Sequence, residues 1–279
     1  QYLTSIKGKA SDLIIIYSSS GFAGLGNEAI NITSGTATVT QLNTLAIATS
    51  GIITATISTT DIVDLDDLTG TGNAYTITVA NTDVIAAALN TVDASTIVSV
   101  NATAVTTITG TAADVIAAYT ANSAGTITGL GNEAITINDS LTVAQLNYLG
   151  ANNDGVITAT ISEGDMATLD GIAESGNALS ITVTDDVVAA AELNTLDSKT
   201  TTDLTVTSST ITGTAADLIA AYTASGSING LGNEAVTLSD TSIDAEILIT
   251  LDALTSGTID ASSITTLTGS DDDQATARA

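Results

Sequence analysis

Short stretches of the chain alternate strictly between apolar and polar residues. In residues 53–57 two isoleucines and an alanine alternate with two threonines, and residues 157–161 repeat this pattern. A period of two with β-branched residues is typical of strands with one buried face, so both stretches are predicted as strands. The same rule predicts three more strands, at residues 76–79, 181–184 and 204–207.

Triples of apolar residues spaced by three recur along the chain. This spacing places three side chains on one face of a short α- or 3₁₀-helix, so the triples predict short helices with a buried stripe. They are Val39/Leu42/Leu45, Ile62/Leu65/Leu68, Val143/Leu146/Leu149, Met166/Leu169/Ile172 and Ala190/Leu193/Leu196. The polar residues in the gaps are predicted to face water; examples are Asn43, Thr44, Asn194 and Thr195.

An aspartate is found near the start of several predicted helices. Aspartate at this position accepts hydrogen bonds from backbone N–H groups that have no partner within the helix, and its charge complements the helix dipole. Four residues are therefore predicted to mark helix starts: Asp61, Asp83, Asp165 and Asp186. Small polar residues and glycine then close each unit with a turn, as at Ser50 and Gly51.

Two blocks of sequence recur at a long period. The block Ile-Thr-Gly-Thr-Ala-Ala-Asp at Ile108 returns at Ile211, 103 residues later, and a diverged copy starts at Ile6, 102 residues earlier. The block Gly-Leu-Gly-Asn-Glu-Ala begins at Gly24, Gly129 and Gly230. The chain therefore holds about two and a half copies of a unit near 103 residues.

A shorter period divides each long repeat. Leu42, Leu65 and Leu89 are 23 and 24 residues apart, and the same spacing recurs at Leu146, Leu169 and Leu193. One coil therefore consists of a strand, a cap, a short helix and a turn in about 23 residues, and four coils, one of them longer, make up the long repeat. A single coil cannot bury its apolar face alone, so successive coils are predicted to stack with parallel strands.

These patterns predict a repeat solenoid, rich in β-structure with short helices, and elongated rather than globular. Residues 1–269 are predicted to form one continuous solenoid, followed by a polar acidic tail at 270–279. The absence of proline agrees, because every strand between two neighbours needs its N–H groups for the sheet. The predicted long repeats are residues 6–107, 108–210 and a partial repeat at 211–269.

Composition and charge exclude most enzyme classes. The 279 residues include no histidine and no cysteine, which excludes Ser–His and Cys–His nucleophile pairs, thiolate chemistry and the usual zinc, haem and iron–sulfur ligands. The 31 acidic and 4 basic residues give a formal net charge of -27, which repels nucleic-acid phosphates and anionic membrane surfaces. The hydrophobic share of 44% nevertheless indicates a folded chain rather than a disordered acidic polymer.

The sequence favours an extracellular location at a cell surface. Strong acidity with few lysines suits salty water, in which charges are screened within about 8 Å or less. No apolar run approaches the roughly 20 residues of a membrane span, so membrane insertion is not expected. The chain starts at Gln1 without a signal-peptide pattern, so it is expected to be a processed protein or a piece of a longer one.

Three segments have distinctive sequences: Ile-Thr-Gly-Thr-Ala-Ala-Asp-Leu-Ile-Ala-Ala-Tyr at 211–222, Gly-Leu-Gly-Asn-Glu-Ala-Val-Thr-Leu-Ser-Asp at 230–240, and Leu-Thr-Ser-Gly-Thr-Ile-Asp-Ala-Ser-Ser-Ile-Thr-Thr-Leu-Thr-Gly at 254–269. They resemble repeats of the giant acidic surface proteins of marine picocyanobacteria, which include the Swm-type proteins linked to swimming motility. The resemblance covers nearly the whole chain. It implies a non-enzymatic structural protein, a segment of a cell-surface layer or filament related to adhesion or motility. Its partners would be further copies of itself, head-to-tail or side by side, or the rest of a longer polypeptide.

Two alternatives remain open. Residues 191–197, Ala-Glu-Leu-Asn-Thr-Leu-Asp, are similar to repeats in the tail fibres of marine phages, although Ser198 stands where those repeats have glycine, and this implies a tail-fibre shaft. Outward threonine pairs that stack into two rows would resemble the faces of ice-binding solenoids, whereas a simpler interpretation is a hydrated strand face or a lateral contact surface. The pairs are Thr54/Thr56, Thr76/Thr78, Thr158/Thr160, Thr182/Thr184 and Thr205/Thr207.

Calcium is the one cofactor that the residue types suggest. Carboxylates are calcium ligands, and Asp271, Asp272 and Asp273 are the candidates, although the chain has neither an EF-hand loop nor Gly-Gly-x-Gly-x-Asp repeats. Other neighbouring aspartates are interpreted as helix caps rather than as the paired acids of a glycosidase. No catalytic residue and no other cofactor is predicted.

Two repeated features are interpreted as structural. Gly24 and Gly26 form a Gly-x-Gly pair, but Ala29 stands where a dinucleotide-binding fingerprint needs a third glycine, so the block is predicted to be a tight turn. One tyrosine position at the end of the Thr-Ala-Ala-Asp helix is predicted to be a half-buried contact within the longer coil, with sugar stacking as the alternative. It is occupied by Tyr17, Tyr119 and Tyr222.

Overall fold

A computed structural model describes residues 3–224 and 226–278. The first two residues of the predicted solenoid and the last residue of the predicted tail lie outside the described residues. The described chain is mixed α/β, with many parallel strands in several sheets and short helices between them. It divides into two compact units, Gln1–Asn138 with Ala151–Gly155 and Asp139–Gly150 with Val156–Ala279. The continuity of residues 1–269 as one solenoid stays a prediction.

Short strands and short helices follow one another through the first unit. Its helices are α1 (Ala10–Ser18), α2 (Val39–Ala48), α3 (Ile62–Leu65), α4 (Ala86–Ala94) and α5 (Ala112–Ala124). Its strands are β1 (Ser5–Gly8), β2 (Ala29–Ile32), β3 (Ile53–Thr56), β4 (Ala74–Thr76), β5 (Asp83–Ile85), β6 (Val100–Asn101), β7 (Thr107–Gly110), β8 (Ile127–Thr128) and the larger part of β9 (Ala134–Leu141).

The second unit, like the first, consists of alternating short strands and short helices. Its helices are α6 (Val143–Gly150), α7 (Met166–Leu169), α8 (Ala190–Asp197), α9 (Ala215–Thr223), α10 (Ala245–Asp252) and α11 (Asp271–Thr276). Its strands are β10 (Ile157–Ile161), β11 (Ala178–Val183), β12 (Val187–Ala189), β13 (Leu204–Val206), β14 (Thr210–Gly213), β15 (Ile228–Asn229), β16 (Ala235–Leu238), β17 (Ser242–Asp244), β18 (Ile259–Asp260) and β19 (Thr266–Thr268).

Strands pair in parallel with partners that follow shortly afterwards along the chain. In the first unit Ile6, Ile30 and Ile53 form one row across β1, β2 and β3. In the second unit Ile181 and Leu204 are paired across β11 and β13, and the row continues into β15. Parallel strands so close in sequence need a connection that returns the chain to its starting side, and the short helices lie in these connections. The predicted combination of parallel strands and short helices is confirmed.

The buried positions agree with the sequence patterns. Ile53, Ala55 and Ile57 are buried, whereas the threonines between them are exposed, and every residue of the five apolar triples is buried. Of the predicted strand at residues 76–79, only Thr76 belongs to a strand, although the alternating burial of these residues agrees with the prediction. Strand β4 ends at Thr76, and Thr78 forms a single bridge to the next pass of the chain.

Two of the four predicted helix caps are correct. Asp61 accepts the backbone N–H of Val63 at 3.1 Å, and Asp165 accepts that of Thr168 at 2.9 Å. The prediction is wrong for Asp83, which lies in β5, and for Asp186, which directly precedes β12. The short strand includes Asp83 in the first case and follows Asp186 in the second. In both cases the helix begins after the strand, and its N-cap position is held by an apolar residue without a side-chain hydrogen bond.

The prediction that the asparagines face water is only partly correct, because each is half-exposed and also bonds to the next pass of the chain. Asn43 Nδ2 donates to the carbonyl of Asp67 at 2.8 Å, and its Oδ1 accepts the backbone N–H of Thr69 at 3.0 Å. Asn194 Nδ2 donates in the same way to the carbonyl of Asp217 at 3.0 Å. Because the partners belong to the next pass of the chain, each asparagine joins one strand–helix segment to the following one.

Substitution at Asn194 should therefore reduce stability. In Asn194→Asp a carboxylate replaces the amide donor and faces the carbonyl of Asp217, so we expect a loss of about 1–3 kcal/mol in the free energy of unfolding. Thr195→Asp is the matched control, because Thr195 is exposed on the same helix, as predicted, and the added charge is the same. Urea unfolding followed by circular dichroism measures both, and equal midpoints would contradict the bridging role.

The threonine pairs are exposed as predicted, but they do not stack into two continuous rows. Thr56 lies beside Thr76, whereas Thr54 lies beside Ala74. The rows in the second unit are Thr158–Ala178, Thr160–Ser180 and Thr182–Thr205–Asn229. The register of the sheet differs from place to place: Thr56 lies beside the first threonine of the next pair, whereas Thr182 and Thr205 are both the first threonines of their pairs. Alanine, serine or asparagine interrupts the named rows, so two continuous threonine rows do not form.

Candidate functional site

Three glutamates lie in the interior of the described chain, and each accepts a hydrogen bond from a tyrosine. Their exposed fractions are 0% for Glu28, 3% for Glu133 and 5% for Glu234. The hydroxyl-to-Oε2 distances are 3.1 Å for Tyr17–Glu28, 2.6 Å for Tyr119–Glu133 and 3.1 Å for Tyr222–Glu234. Glutamate is almost never fully buried without a partner, so these pairs are the candidate functional site.

The periods of the local elements direct both side chains of a pair inward. Tyr119 follows Val115 by four residues on α5, and both lie on the buried face of the helix. Glu133 precedes β9, in which Ile135 and Ile137 are buried. Side chains two residues apart point to the same side of an extended chain, so Glu133 also points into the interior.

A glycine turn supplies further donors to each carboxylate. Glu133 Oε2 accepts the backbone N–H of Gly131 at 2.8 Å and that of Asn132 at 3.2 Å. The turn needs glycine, because Gly129 and Gly131 have φ angles of +99° and +145°, which other residues rarely adopt. The predicted tight turn is therefore confirmed. The other copies repeat the contact to the second glycine at 2.8 Å, from Gly26 to Glu28 and from Gly232 to Glu234.

The next strand–helix segment approaches the backbone of each glutamate closely. A Cβ atom added to Gly155 would lie 2.1 Å from the carbonyl oxygen of Glu133. The equivalent distances are 2.2 Å between Gly51 and Glu28 and 1.8 Å between Gly257 and Glu234. Since no real Cβ atom comes this close to a backbone oxygen, glycine is required at all three positions.

A buried polar residue just before this glycine completes the unit. Asn153 Nδ2 donates to the carbonyl of Glu133 at 3.1 Å, and Asn153 Oδ1 accepts the N–H of Glu133 at 2.9 Å. The same Oδ1 lies 3.0 Å from the Tyr119 hydroxyl. In the first copy Thr49 takes this position and donates to the carbonyl of Glu28 at 2.8 Å. The tyrosine, the glutamate and the following segment are thus held together by one set of hydrogen bonds.

The surroundings shift the ionisation of these groups in opposite directions. The N–H of Gly26 holds the pKa of Glu28 below its usual value, against the effect of burial. Burial is the main reason why the pKa values of Tyr17 and Tyr119 are raised, and it raises the pKa of Tyr222 to about 12. At neutral pH the tyrosines are therefore neutral donors.

Stability should decrease in alkali because of Tyr222. Its folded-state pKa of about 12 is above the unfolded value of about 10, so its stabilisation is complete below about pH 10 and is lost as the pH rises towards 12. In Tyr222→Phe we expect a loss of about 1 kcal/mol at pH 8 and a weaker further decline between pH 10 and 11. Urea midpoints at pH 8, 10 and 11 measure this, and parallel declines in both proteins would contradict it.

The sequence patterns identified the tyrosine of each pair but not its glutamate partner. The repeated tyrosine is a contact of the longer coil, as predicted, although Tyr119 and Tyr222 are buried rather than half-buried. The glutamate partner was missed. A signal was present, since a glutamate follows each tyrosine by 11, 14 or 12 residues at the end of the Gly-Leu-Gly-Asn-Glu block.

The candidate calcium ligands lie in the first turn of α11. Ser270 is the N-cap residue of this helix, and its hydroxyl bonds with the backbone N–H and the carboxylate of Asp273, while Asp271 and Asp272 are exposed. Within residues 3–224 and 226–278 no group of three or more acidic side chains is placed to hold a metal ion. The tail that was predicted to be polar thus contains a short capped helix, and calcium binding there stays a prediction.

Comparison of the chain with protein-family models, with curated proteins and with solved structures found no match. Among the described helices, none combines the length and the apolar character that crossing a membrane requires.

Proposed function

We propose that the chain is a non-enzymatic, extracellular structural protein whose coils stack as a repeat solenoid and form a segment of a cell-surface layer or filament. Support comes from the parallel pairing of strands that lie close together in sequence, with short helices in the connections. A stacked array of this kind acts as a spacer whose length is set by the number of coils.

One observation carries the proposal: a tyrosine–glutamate bond recurs in all three copies, and in two of them a buried polar side chain also connects the glutamate to the following segment. Tyr119, Glu133 and Asn153 do so in one copy, and Tyr222 and Glu234 recur in another. A catalytic site needs an opening for substrate and is built once, whereas a structural bond is needed at every repeat. The repetition of the buried pairs therefore favours a load-supporting role over a chemical one.

The charge of the chain determines how copies would associate. A net charge of -27 keeps the surface hydrated and opposes association at low ionic strength. Salt screens this repulsion within about 8 Å at physiological concentration, and divalent cations can bridge carboxylates. Self-association, or association with the rest of a longer polypeptide, should therefore require salt or divalent cations.

Light scattering and electron microscopy across a salt series test this function. We expect dispersed protein in low salt and extended assemblies in high NaCl or in millimolar CaCl2, with MgCl2 at equal ionic strength as the control. The triple variant Asp271→Asn, Asp272→Asn and Asp273→Asn shows whether any effect of calcium beyond that of magnesium depends on α11.

Protein that stays monomeric in every condition would contradict the proposal. A stable trimer independent of salt would instead favour the tail-fibre shaft, and thermal hysteresis of ice growth would favour the ice-binding alternative.

A further inference from the structure

The described chain holds four strand–helix units with the Thr-Ala-Ala-Asp type of helix, here called long-coil units, and three of them are packed against a preceding coil. Strand β5 pairs with β7, so that Val84 lies beside Ile108, and β12 pairs with β14, so that Val188 lies beside Ile211. Ile108 and Ile211 are fully buried as a result. The preceding coils are here called covering coils, and they are β5–α4, β12–α8 and, ahead of β19–α11, β17–α10.

Covering coils make the same backbone contacts each time. The carbonyl of Thr82 accepts the N–H groups of Thr106 and Thr107 at 2.8 and 2.9 Å. The carbonyls of Asp186 and Thr241 each accept two consecutive N–H groups in the same way, from 209–210 and from 265–266. These bonds define a constant docking geometry between a covering coil and a long-coil unit.

A helix asparagine adds a second contact in two of the three cases. Asn90 on α4 donates to the carbonyl of Asp114 at 2.9 Å, and Asn194 on α8 donates to the carbonyl of Asp217 at 3.0 Å. Each acceptor is the third residue of the long-coil helix that follows. The covering coil is thus recognised by both the strand and the helix of the long-coil unit.

The unit β1–α1 is a long-coil unit whose docking face is not occupied by a covering coil from the part of the chain that the structure describes. Thr4 is equivalent to Thr106, because its carbonyl accepts the N–H of Ala29 at 3.0 Å just as that of Thr106 accepts the N–H of Ala134. Strand β1 is the outermost strand of its sheet and pairs with β2. Ile6 is half-buried, whereas Ile108 and Ile211, which have a coil on both sides, are fully buried, and Leu3 and Ile15 are 51% and 66% exposed.

We infer that the β1–α1 face binds a covering coil of the β5–α4 type, supplied by a further repeat of this kind. The inference rests on the proposed function and names the partner that function requires. The covering strand would bond to the N–H groups of Thr4 and Ser5, and its helix asparagine would reach the carbonyl of Asp12, which occupies the position of Asp114.

A second copy of this chain offers the wrong type of surface at α11. Ser270 caps α11 through Asp273 as Thr111 caps α5 through Asp114, which identifies β19–α11 as another long-coil unit. Long-coil units follow covering coils in all three cases described, and none of these cases stacks one long-coil unit on another. The partner is therefore a covering coil and not the β19–α11 unit of a second copy.

The test adds the chain's own covering coil ahead of the full chain. Because Ser5 is equivalent to Thr107, residues 81–102 fused to Gln1 reproduce the natural spacing. Hydrogen exchange of residues 6–16 should slow at least about tenfold in the extended chain. The control carries Val84→Asp and Leu89→Asp within the added segment only, and it should exchange like the unextended protein.

Several outcomes would overturn the inference. Equal exchange in the extended chain and its control would show that the face does not take this coil. Protection of residues 6–16 that rises with the concentration of the unextended chain would show that a second copy covers it. Hydrogen exchange of residues 107–110 and 210–213 distinguishes failure of the docking inference from failure of the proposed stacked-coil function. If these strands are protected while the added coil has no effect, only the docking inference fails; if they are unprotected, the stacked-coil function fails as well.

Discussion

Glu133→Ala should lower the free energy of unfolding of the first unit by about 3 kcal/mol. The substitution removes the acceptor of the Tyr119 hydroxyl and of the N–H groups of Gly131 and Asn132, and it leaves a void beside them. Each partly buried donor that loses its acceptor costs about 1–3 kcal/mol. The total loss should lie towards the lower end of this range, because the Tyr119 hydroxyl can still donate to Asn153 Oδ1 and water can reach the N–H groups of the turn. Urea unfolding followed by circular dichroism measures the loss.

Two further variants show that this loss comes from the lost acceptor. Glu192→Ala removes the same charge from an exposed position on α8 and should shift the urea midpoint little, since surface substitutions usually change stability by less than about 0.5 kcal/mol. Glu133→Gln keeps an oxygen for the glycine turn and should fall between the two. A midpoint for Glu133→Ala equal to that of Glu192→Ala would refute the structural role of the buried carboxylate.

Leu193→Asp should be still more damaging. Leu193 is fully buried at the centre of the α8 stripe, and an unpaired carboxylate there must either stay charged in an apolar environment or take up a proton. We expect a loss of about 4 kcal/mol or more, with unfolding of the adjacent segments at neutral pH. The loss of native circular dichroism and of the cooperative urea transition measures the effect.

Positions 193, 194 and 195 form an internal series on one helix. Each can be changed to aspartate, which adds the same charge at a fully buried, a bridging and an exposed site. The expected order of damage is Leu193→Asp, then Asn194→Asp, then Thr195→Asp with almost none. Any other order would mean that α8 faces its neighbours differently.

Features set by a local period were predictable from the sequence. Alternation in residues 53–57 and spacing of three in the helix triples depend on neighbours within a few residues, and both assigned the buried side correctly. The positive-φ glycines of the Gly-Leu-Gly turn were equally local. These signals fix which side chains point inward but not what they meet there.

Contacts between successive segments were not predictable in the same way. Asn43 and Asn194 lie at the edge of the apolar stripe and look like solvent-facing residues until the next segment of the chain places a carbonyl beside them. The aspartates at 83 and 186 were misassigned because each helix is preceded by a short strand, which includes Asp83 in one case and follows Asp186 in the other. The Tyr119–Glu133 pair closes across a turn, so neither residue alone indicates the other.

Hydrogen exchange of the Glu133→Ala variant tests most directly whether the buried polar groups join successive segments. If they do, protection should fall in residues 107–124, which contribute Tyr119. It should also fall in 151–155, because the Tyr119 hydroxyl that loses the carboxylate also donates to Asn153, while residues 39–56 should keep their protection. Loss of protection restricted to the turn at residues 129–134 would contradict the account, because the glutamate would then stabilise its own turn and nothing beyond it.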